Sequence, residues 1–140
     1  MPHYDSMDAT QMTEEDAALM RARLHLLGGK RRLQEGLSAA GLAALYDAIL
    51  FGMRHYIARH ERCASFVKDA DLWDAVALYH ALARAGVFDD PHAFNRLSLI
   101  VERALWQHSF SFDADATLAE VEKMLTKLGI FPFSKAASTR

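Results

Sequence analysis

The stretch Leu37–Arg62, LSAAGLAALYDAILFGMRHYIARHER, constrains the fold most, because no other part of the chain is as long and as regular. Its apolar residues recur at intervals of three and four, the period of a helix with one wide buried face. These residues are Leu42, Leu45, Tyr46, Ile49, Met53, Tyr56 and Ile57. A single helix from Ser38 to about Glu61 is roughly 36 Å long at about 1.5 Å per residue, which is enough to cross a small domain. We therefore expect the other helices to pack on it.

A first helix is predicted to begin after Thr13, whose hydroxyl can cap free N–H groups and is followed by three acids. Gly28-Gly29 lies inside this segment, and strong helix formers resume directly after it. We interpret the glycines as a site where the second helix approaches closely, and Gly36 as the stop. The expected apolar positions of the helix are Ala17, Met20, Leu24, Leu27 and Leu33.

Three further helices follow a short connector at 64–70. The first is predicted to start near Asp69 or Asp71 and to end at Gly86. The second is predicted to start at Asp90-Pro91. The third is predicted to be capped by Asp113 or Asp115 and to end at Gly129. The expected apolar face of the first of these helices consists of Leu72, Val76, Tyr79 and Leu82. That of the second consists of Phe94, Leu97, Val101, Ala104, Leu105 and His108, and that of the third of Leu118, Val121, Leu125 and Leu128. Residues 130–133 are expected to form an apolar strap that docks on the bundle. No segment alternates with a period of two. The fold class predicted is all-α, an up-and-down bundle of about five helices.

The length of 140 residues suits one domain, which we place at 13–133, between an N-terminal lead-in at 1–12 and a tail at 134–140. With 16 basic and 18 acidic residues the net charge is −2, so no overall field favours nucleic acid or anionic membrane. The single cysteine, Cys63, excludes an internal disulfide and fits a reducing compartment. No apolar run approaches the roughly 20 residues of a membrane span. The expectation is a cytoplasmic protein that does not enter a membrane.

No metal or other cofactor is expected. His55 and His60 are five residues apart, so on a helix they point away from each other, and neither HExxH nor CxxC occurs.

Two other groups of residues are candidates for function. Arg54, His55, Arg59, His60 and Arg62 gather at the end of the second helix. Cations are favoured there by the free carbonyl groups, which we prefer as the explanation, while an anion or RNA site is the alternative.

Arg103 and His108 close the fourth helix, and an imidazole with a guanidinium is able to cleave RNA without a metal. Trp106 lies off the apolar row and is the aromatic residue expected to be exposed; with Phe110 it is a candidate for an interface.

The order of these features resembles HEPN domains. The segment Leu26-Leu27-Gly28-Gly29-Lys30-Arg31-Arg32-Leu33-Gln34-Glu35-Gly36, followed by the Ala- and Tyr-rich start of the long helix at 39–48, is similar to their first two helices. Arg103 and His108 fall where that family carries its Arg-x4–6-His motif. The resemblance implies a dimeric helical bundle that is either a metal-independent, toxin-type ribonuclease or a non-catalytic partner of a minimal nucleotidyltransferase.

Two departures from the family pattern favour the non-catalytic branch. Ala104 follows the arginine where the family's ribonucleases usually have Asn, Asp or His, and Phe110 stands where the toxin form often has Tyr. We therefore predict a non-catalytic HEPN-like module that forms a homodimer and binds a partner protein, for which a minimal nucleotidyltransferase is the candidate. The alternative is a ribonuclease in which Arg103 and His108 are catalytic and RNA is the substrate.

Overall fold

A computed structural model describes residues 13–67, 71–107 and 110–131. In these ranges the chain forms six α-helices and one short 3₁₀ helix, and no strand. The helices are α1 (Glu14–Gln34), α2 (Ser38–Arg59), α3 (Ala64–Val67), α4 (Ala75–Arg84), α5 (Ala93–Trp106) and α6 (Ala114–Lys127), with the 3₁₀ helix at Glu61–Cys63. The all-α prediction is confirmed, and the sixth helix is the four-residue α3 inside the predicted connector. None of the helices described is both long enough and apolar enough to span a bilayer.

Side chains cap three of the helices at their N-termini. The Thr13 hydroxyl accepts the N–H of Asp16 at 3.1 Å, and Asp113 accepts the N–H of Ala116 at 2.9 Å, as predicted. The predicted start of α4 is wrong, because Asp74 is its cap and accepts the N–H of Ala77 at 3.1 Å. Asp71 instead accepts the N–H of Trp73 in the preceding turn, while Asp69 lies outside the described residues. Leu72 is therefore an exposed turn residue, not part of the helical face.

The start of α5 also differs from the prediction. Asp90 accepts the N–H of His92 at 2.9 Å, which closes a turn through Pro91, and the helix itself begins at Ala93. The dipeptide thus orients the chain before the helix and does not form its first turn.

Glycines end α1, α4 and α6, as predicted. Gly36, Gly86 and Gly129 have φ values of 81°, 84° and 78°, a conformation that other residues rarely adopt. The N–H after each glycine bonds back to a carbonyl of the last helical turn; Val87, for example, donates to the carbonyl of Leu82 at 2.9 Å. These bonds are those of the Schellman motif.

Helices α1 and α2 form an antiparallel pair whose backbones approach closely at Gly29 and Gly41. A Cβ added at Gly29 would lie 3.1 Å from the Gly41 carbonyl oxygen and 2.7 Å from Leu45 Cδ2. One added at Gly41 would lie 3.1 Å from the Gly29 carbonyl oxygen and 2.9 Å from Leu33 Cδ2. The predicted role of the glycine pair is confirmed at Gly29. A Cβ at Gly28 would meet only the side chain of Arg32, within α1 itself.

The buried stripe of α1 is displaced from the predicted one. Leu24 and Leu27 are 59% and 52% exposed, whereas Ala18, Ala22 and Leu26 are buried in line with Gly29. The small residues face α2 because the two backbones lie too close for larger side chains. Amphipathic spacing alone does not reveal that constraint.

The other helices pack around α2, as expected. Tyr46 of α2 lies with its ring centroid 4.9 Å from that of Phe94 of α5, and Tyr79 of α4 stacks on the same phenylalanine at 5.4 Å. Gly52 of α2 faces the side chains of Leu125, Leu128 and Ile130 from the end of α6. Ile130 is fully buried, so the predicted strap does dock at this residue; Pro132 and Phe133 lie outside the described residues.

The glycine contact gives a prediction about stability. We expect Gly29→Ala and Gly41→Ala each to lower the free energy of unfolding by up to about 2 kcal/mol, because overpacking costs about 1–3 kcal/mol and alanine returns only about 1 kcal/mol of helix propensity. Gly28→Ala is the matched control, since the flexible Arg32 side chain can move away, and we expect it to be neutral or stabilising by up to about 1 kcal/mol. Urea unfolding followed by circular dichroism measures all three; equal effects at Gly28 and Gly29 would contradict the close contact.

Candidate functional site

Of the two residues predicted to be catalytic, the structure describes only Arg103. Arg103 lies exposed in the last turn of α5, and its carbonyl oxygen accepts the N–H of Gln107 at 2.9 Å. His108 lies outside the described residues. The catalytic role of the pair therefore stays a prediction.

The second half of α5 is less buried than the first, although Val101 still packs against the core. Phe94 and Leu97 are buried in its first half, but from Ser98 to Trp106 every residue is at least partly exposed. Leu99, Leu105 and Trp106 are 56%, 62% and 83% exposed. The prediction that Trp106 is exposed is confirmed, and the placement of Leu105 in the buried stripe is wrong, because the helix extends beyond the side chains that cover its first half. The result is an apolar surface at the end of α5, which we call the α5 end surface: Leu99, Leu105 and Trp106.

Phe110, the other candidate for an interface, is less accessible. Its ring stacks on that of Phe112 with centroids 5.8 Å apart, and the residue is partly buried. Phe110 comes four residues after Trp106 in the sequence, and its ring contact is with Phe112.

The basic end of α2 is bound to the acidic start of α1. Arg59 Nε lies 3.1 Å from Glu15 Oε2, and Arg54 Nη2 lies 3.6 Å from Glu14 Oε1. His55 is buried, and because a carbonyl oxygen only accepts, its Nδ1 donates to the Glu15 carbonyl at 2.9 Å. Three of the five predicted anion-binding residues thus contact the start of α1, and among them Arg59 lies in the last turn of α2, where the helix dipole favours a cation.

The remaining two members of that group contact Tyr56. His60 stacks on its ring with centroids 3.9 Å apart and donates from Nδ1 to its backbone carbonyl at 2.9 Å. Arg62 donates from Nη2 to the Tyr56 hydroxyl at 3.2 Å. All five residues therefore have structural partners, in agreement with the helix-terminus explanation, and anion or RNA binding by them stays a prediction.

One cluster was not anticipated from the sequence. The Arg54 guanidinium lies 3.8 Å from the centroid of the Trp73 ring, and Phe51 meets Trp73 edge to face at 6.0 Å. His25 of α1 stacks on Phe51 at 5.4 Å, and the Arg21 guanidinium lies 5.8 Å from the same ring. The spacing of Arg21 and His25 on α1, and of Phe51 and Arg54 on α2, places each pair on one helix face. Which faces meet depends on the helix register, which the sequence alone does not supply.

The cavities of the described chain are small. One of about 160 Å³ next to Arg54 is lined by Glu14, Ala18, Ile57, Ala58 and Leu72. A groove of about 240 Å³ between α5 and α6 is crossed by Arg96, whose Nη2 bonds Asp90 at 2.6 Å and Glu120 at 3.0 Å. Across residues 13–67, 71–107 and 110–131, no three His, Cys, Asp or Glu side chains come together in a way that could hold a metal ion. Cys63 is a buried free thiol.

The phenol of Tyr79 has a strongly raised pKa. Burial, and then the charge of Asp90, raises the pKa of its phenol to about 12. Its hydroxyl donates to the backbone carbonyl of Asp90 at 2.6 Å, and its ring is stacked between Phe88 and Phe94. The phenol therefore fixes the loop before α5 and is not free for proton transfer.

Comparison of the chain with protein-family models, curated proteins and solved structures finds no match. The assignment of a function therefore depends on the geometry described above.

The shifted phenol gives a prediction for alkaline pH. In the unfolded chain Tyr79 ionises near pH 10, whereas the folded chain keeps its proton until about pH 12, so the folded state binds more protons and the free energy of unfolding falls as the pH rises across this range. We expect Tyr79→Phe to weaken that fall and to cost about 1 kcal/mol near neutral pH, where the hydrogen bond is lost. Urea unfolding at a series of pH values tests this. Tyr46→Phe is measured alongside, because burial also raises the pKa of Tyr46. A Tyr79→Phe variant whose stability depends on pH as the native chain does would contradict the assignment.

Proposed function

We propose that this protein is a non-catalytic helical module that forms a homodimer and binds a partner protein. The observation that carries the proposal is the α5 end surface, where Trp106 is 83% exposed and Leu99 and Leu105 are more than half exposed. Apolar surface removed from water contributes about 25 cal/mol per Å². Trp106 lies on the same face of α5 as Leu99 and follows Leu105 directly, and tryptophan is enriched among the residues that dominate binding energies.

The non-catalytic branch is supported by how the described polar groups are used. The cations at the end of α2 have partners on α1 or on Tyr56, and the most shifted phenol donates to a backbone carbonyl. Catalytic groups typically face a cleft. Arg103 instead lies on an open helix surface between Leu99 and Trp106.

The identity of the partner rests on the resemblance to HEPN domains. In that family a non-catalytic bundle pairs with a minimal nucleotidyltransferase, and we propose a protein of that class as the partner, with the cytoplasm as the compartment. The near-neutral charge of −2 supports a protein partner over nucleic acid.

The proposed function predicts an association that depends on Trp106. We expect sedimentation equilibrium between roughly 1 μM and 1 mM, a span that covers association free energies of about −8 to −4 kcal/mol, to show a dimer. In a Trp73→Phe background Trp106 is the remaining tryptophan, and its emission should shift to shorter wavelength as the dimer forms. Trp106→Ser should weaken association about tenfold or more with unchanged helicity.

The control is Trp73→Ser, which removes the other exposed tryptophan from a different surface and should leave association unchanged. A monomer throughout the concentration range contradicts the proposal. So does RNA cleavage in EDTA that is lost in both Arg103→Ala and His108→Ala while the variants remain folded.

A further inference from the structure

Four residues form the side of α5 that faces away from the core. Leu99, Glu102, Arg103 and Trp106 follow one another at intervals of three, one and three residues, which places them on one face of a helix. All four are exposed, and the buried residues Phe94 and Leu97 point in the opposite direction. We call these four residues the outer α5 face.

The outer α5 face is complementary to itself. If a second α5 lies antiparallel across a two-fold axis that passes between Glu102 and Arg103, each of these residues faces the other one in the second copy. Leu99 and Trp106 each lie about three and a half residues from that axis, so Leu99 of one copy lies opposite Trp106 of the other. The pairing places opposite charges together at the centre and apolar side chains together on both sides, as a two-fold interface requires.

The central charges are available for such a contact. Within the described part of the chain neither Glu102 nor Arg103 has an ion-pair partner. By contrast, Arg96 on the same helix is bound to both Asp90 and Glu120. An unrelated partner would need its own matching order of charge and apolar groups, whereas a second copy supplies that order by symmetry.

We infer that a second copy of this chain binds at the outer α5 face, with the two α5 helices antiparallel and Glu102 of each copy paired with Arg103 of the other. This inference rests on the proposed function, because it assigns the geometry of the proposed homodimer. The contact is small, since it extends over little more than two turns of helix, and the dimer it forms is accordingly weak.

Charge reversal tests the pairing. Glu102→Arg and Arg103→Glu each replace two attractive contacts by two repulsive ones, and each should weaken the dimerisation constant about tenfold or more. The double variant Glu102→Arg/Arg103→Glu exchanges the two residues without changing composition or net charge, and it restores both pairs. Its dimerisation constant should return to within about threefold of the native value, as measured by sedimentation equilibrium at low salt.

Two control variants separate the pairing from the change in net charge. Glu35→Arg and Arg31→Glu make the same charge changes at exposed positions at the end of α1 and should leave dimerisation unchanged. If Trp106→Ser weakens dimerisation but the double variant does not recover the native dimerisation constant, the antiparallel pairing is overturned and the proposed function stands. A native chain that is monomeric at all concentrations overturns both.

Discussion

The close contact between Gly29 and Gly41 fixes the register of α1 against α2, and the rest of the molecule depends on that register. Glu15 lies fourteen residues before Gly29, and His55 lies fourteen residues after Gly41. The same antiparallel pairing therefore places Glu15 beside His55, whose imidazole donates to the Glu15 carbonyl. The acidic start of α1 thereby meets the basic end of α2. A group of cations that would otherwise be available to an external anion is thus engaged within the fold, and α2 is left with its other sides open for α4, α5 and α6.

Helix α5 packs on α2 near its start, where the Phe94 ring lies 4.9 Å from that of Tyr46. Phe94 and Leu97 are buried there, whereas Leu99, Leu105 and Trp106 further along the helix are exposed. An apolar part of the described surface therefore lies in the second half of α5, where no residue is fully buried. The proposed function assigns this surface to binding.

Five of the six helices, the glycine ends of α1, α4 and α6, and the caps at Thr13 and Asp113 were predictable from local chemistry, because these residues act through hydrogen bonds within a few residues of themselves. The buried stripe of α1 was not, because it is set by how closely α2 approaches. The start of α4 was missed for a similar reason: three aspartates compete within six residues, and tertiary packing selects Asp74. At the candidate site the exposure of Trp106 was predictable from its helical position, whereas the Arg54–Trp73 contact required the register of the two helices.

The distance between the two copies along α5 tests the central claim most directly. In an antiparallel pair centred between Glu102 and Arg103, equivalent residues are separated along the axis by about 3 Å for each residue of offset from the centre, twice the helical rise. Spin labels at Leu105 and at Asn95, placed one at a time in a Cys63→Ala background, should therefore be separated along the axis by about 8 Å and about 22 Å, respectively. Pulsed dipolar spectroscopy that gives the longer distance at Asn95 agrees with the account. Equal distances at the two positions, or no coupling between copies, would contradict it.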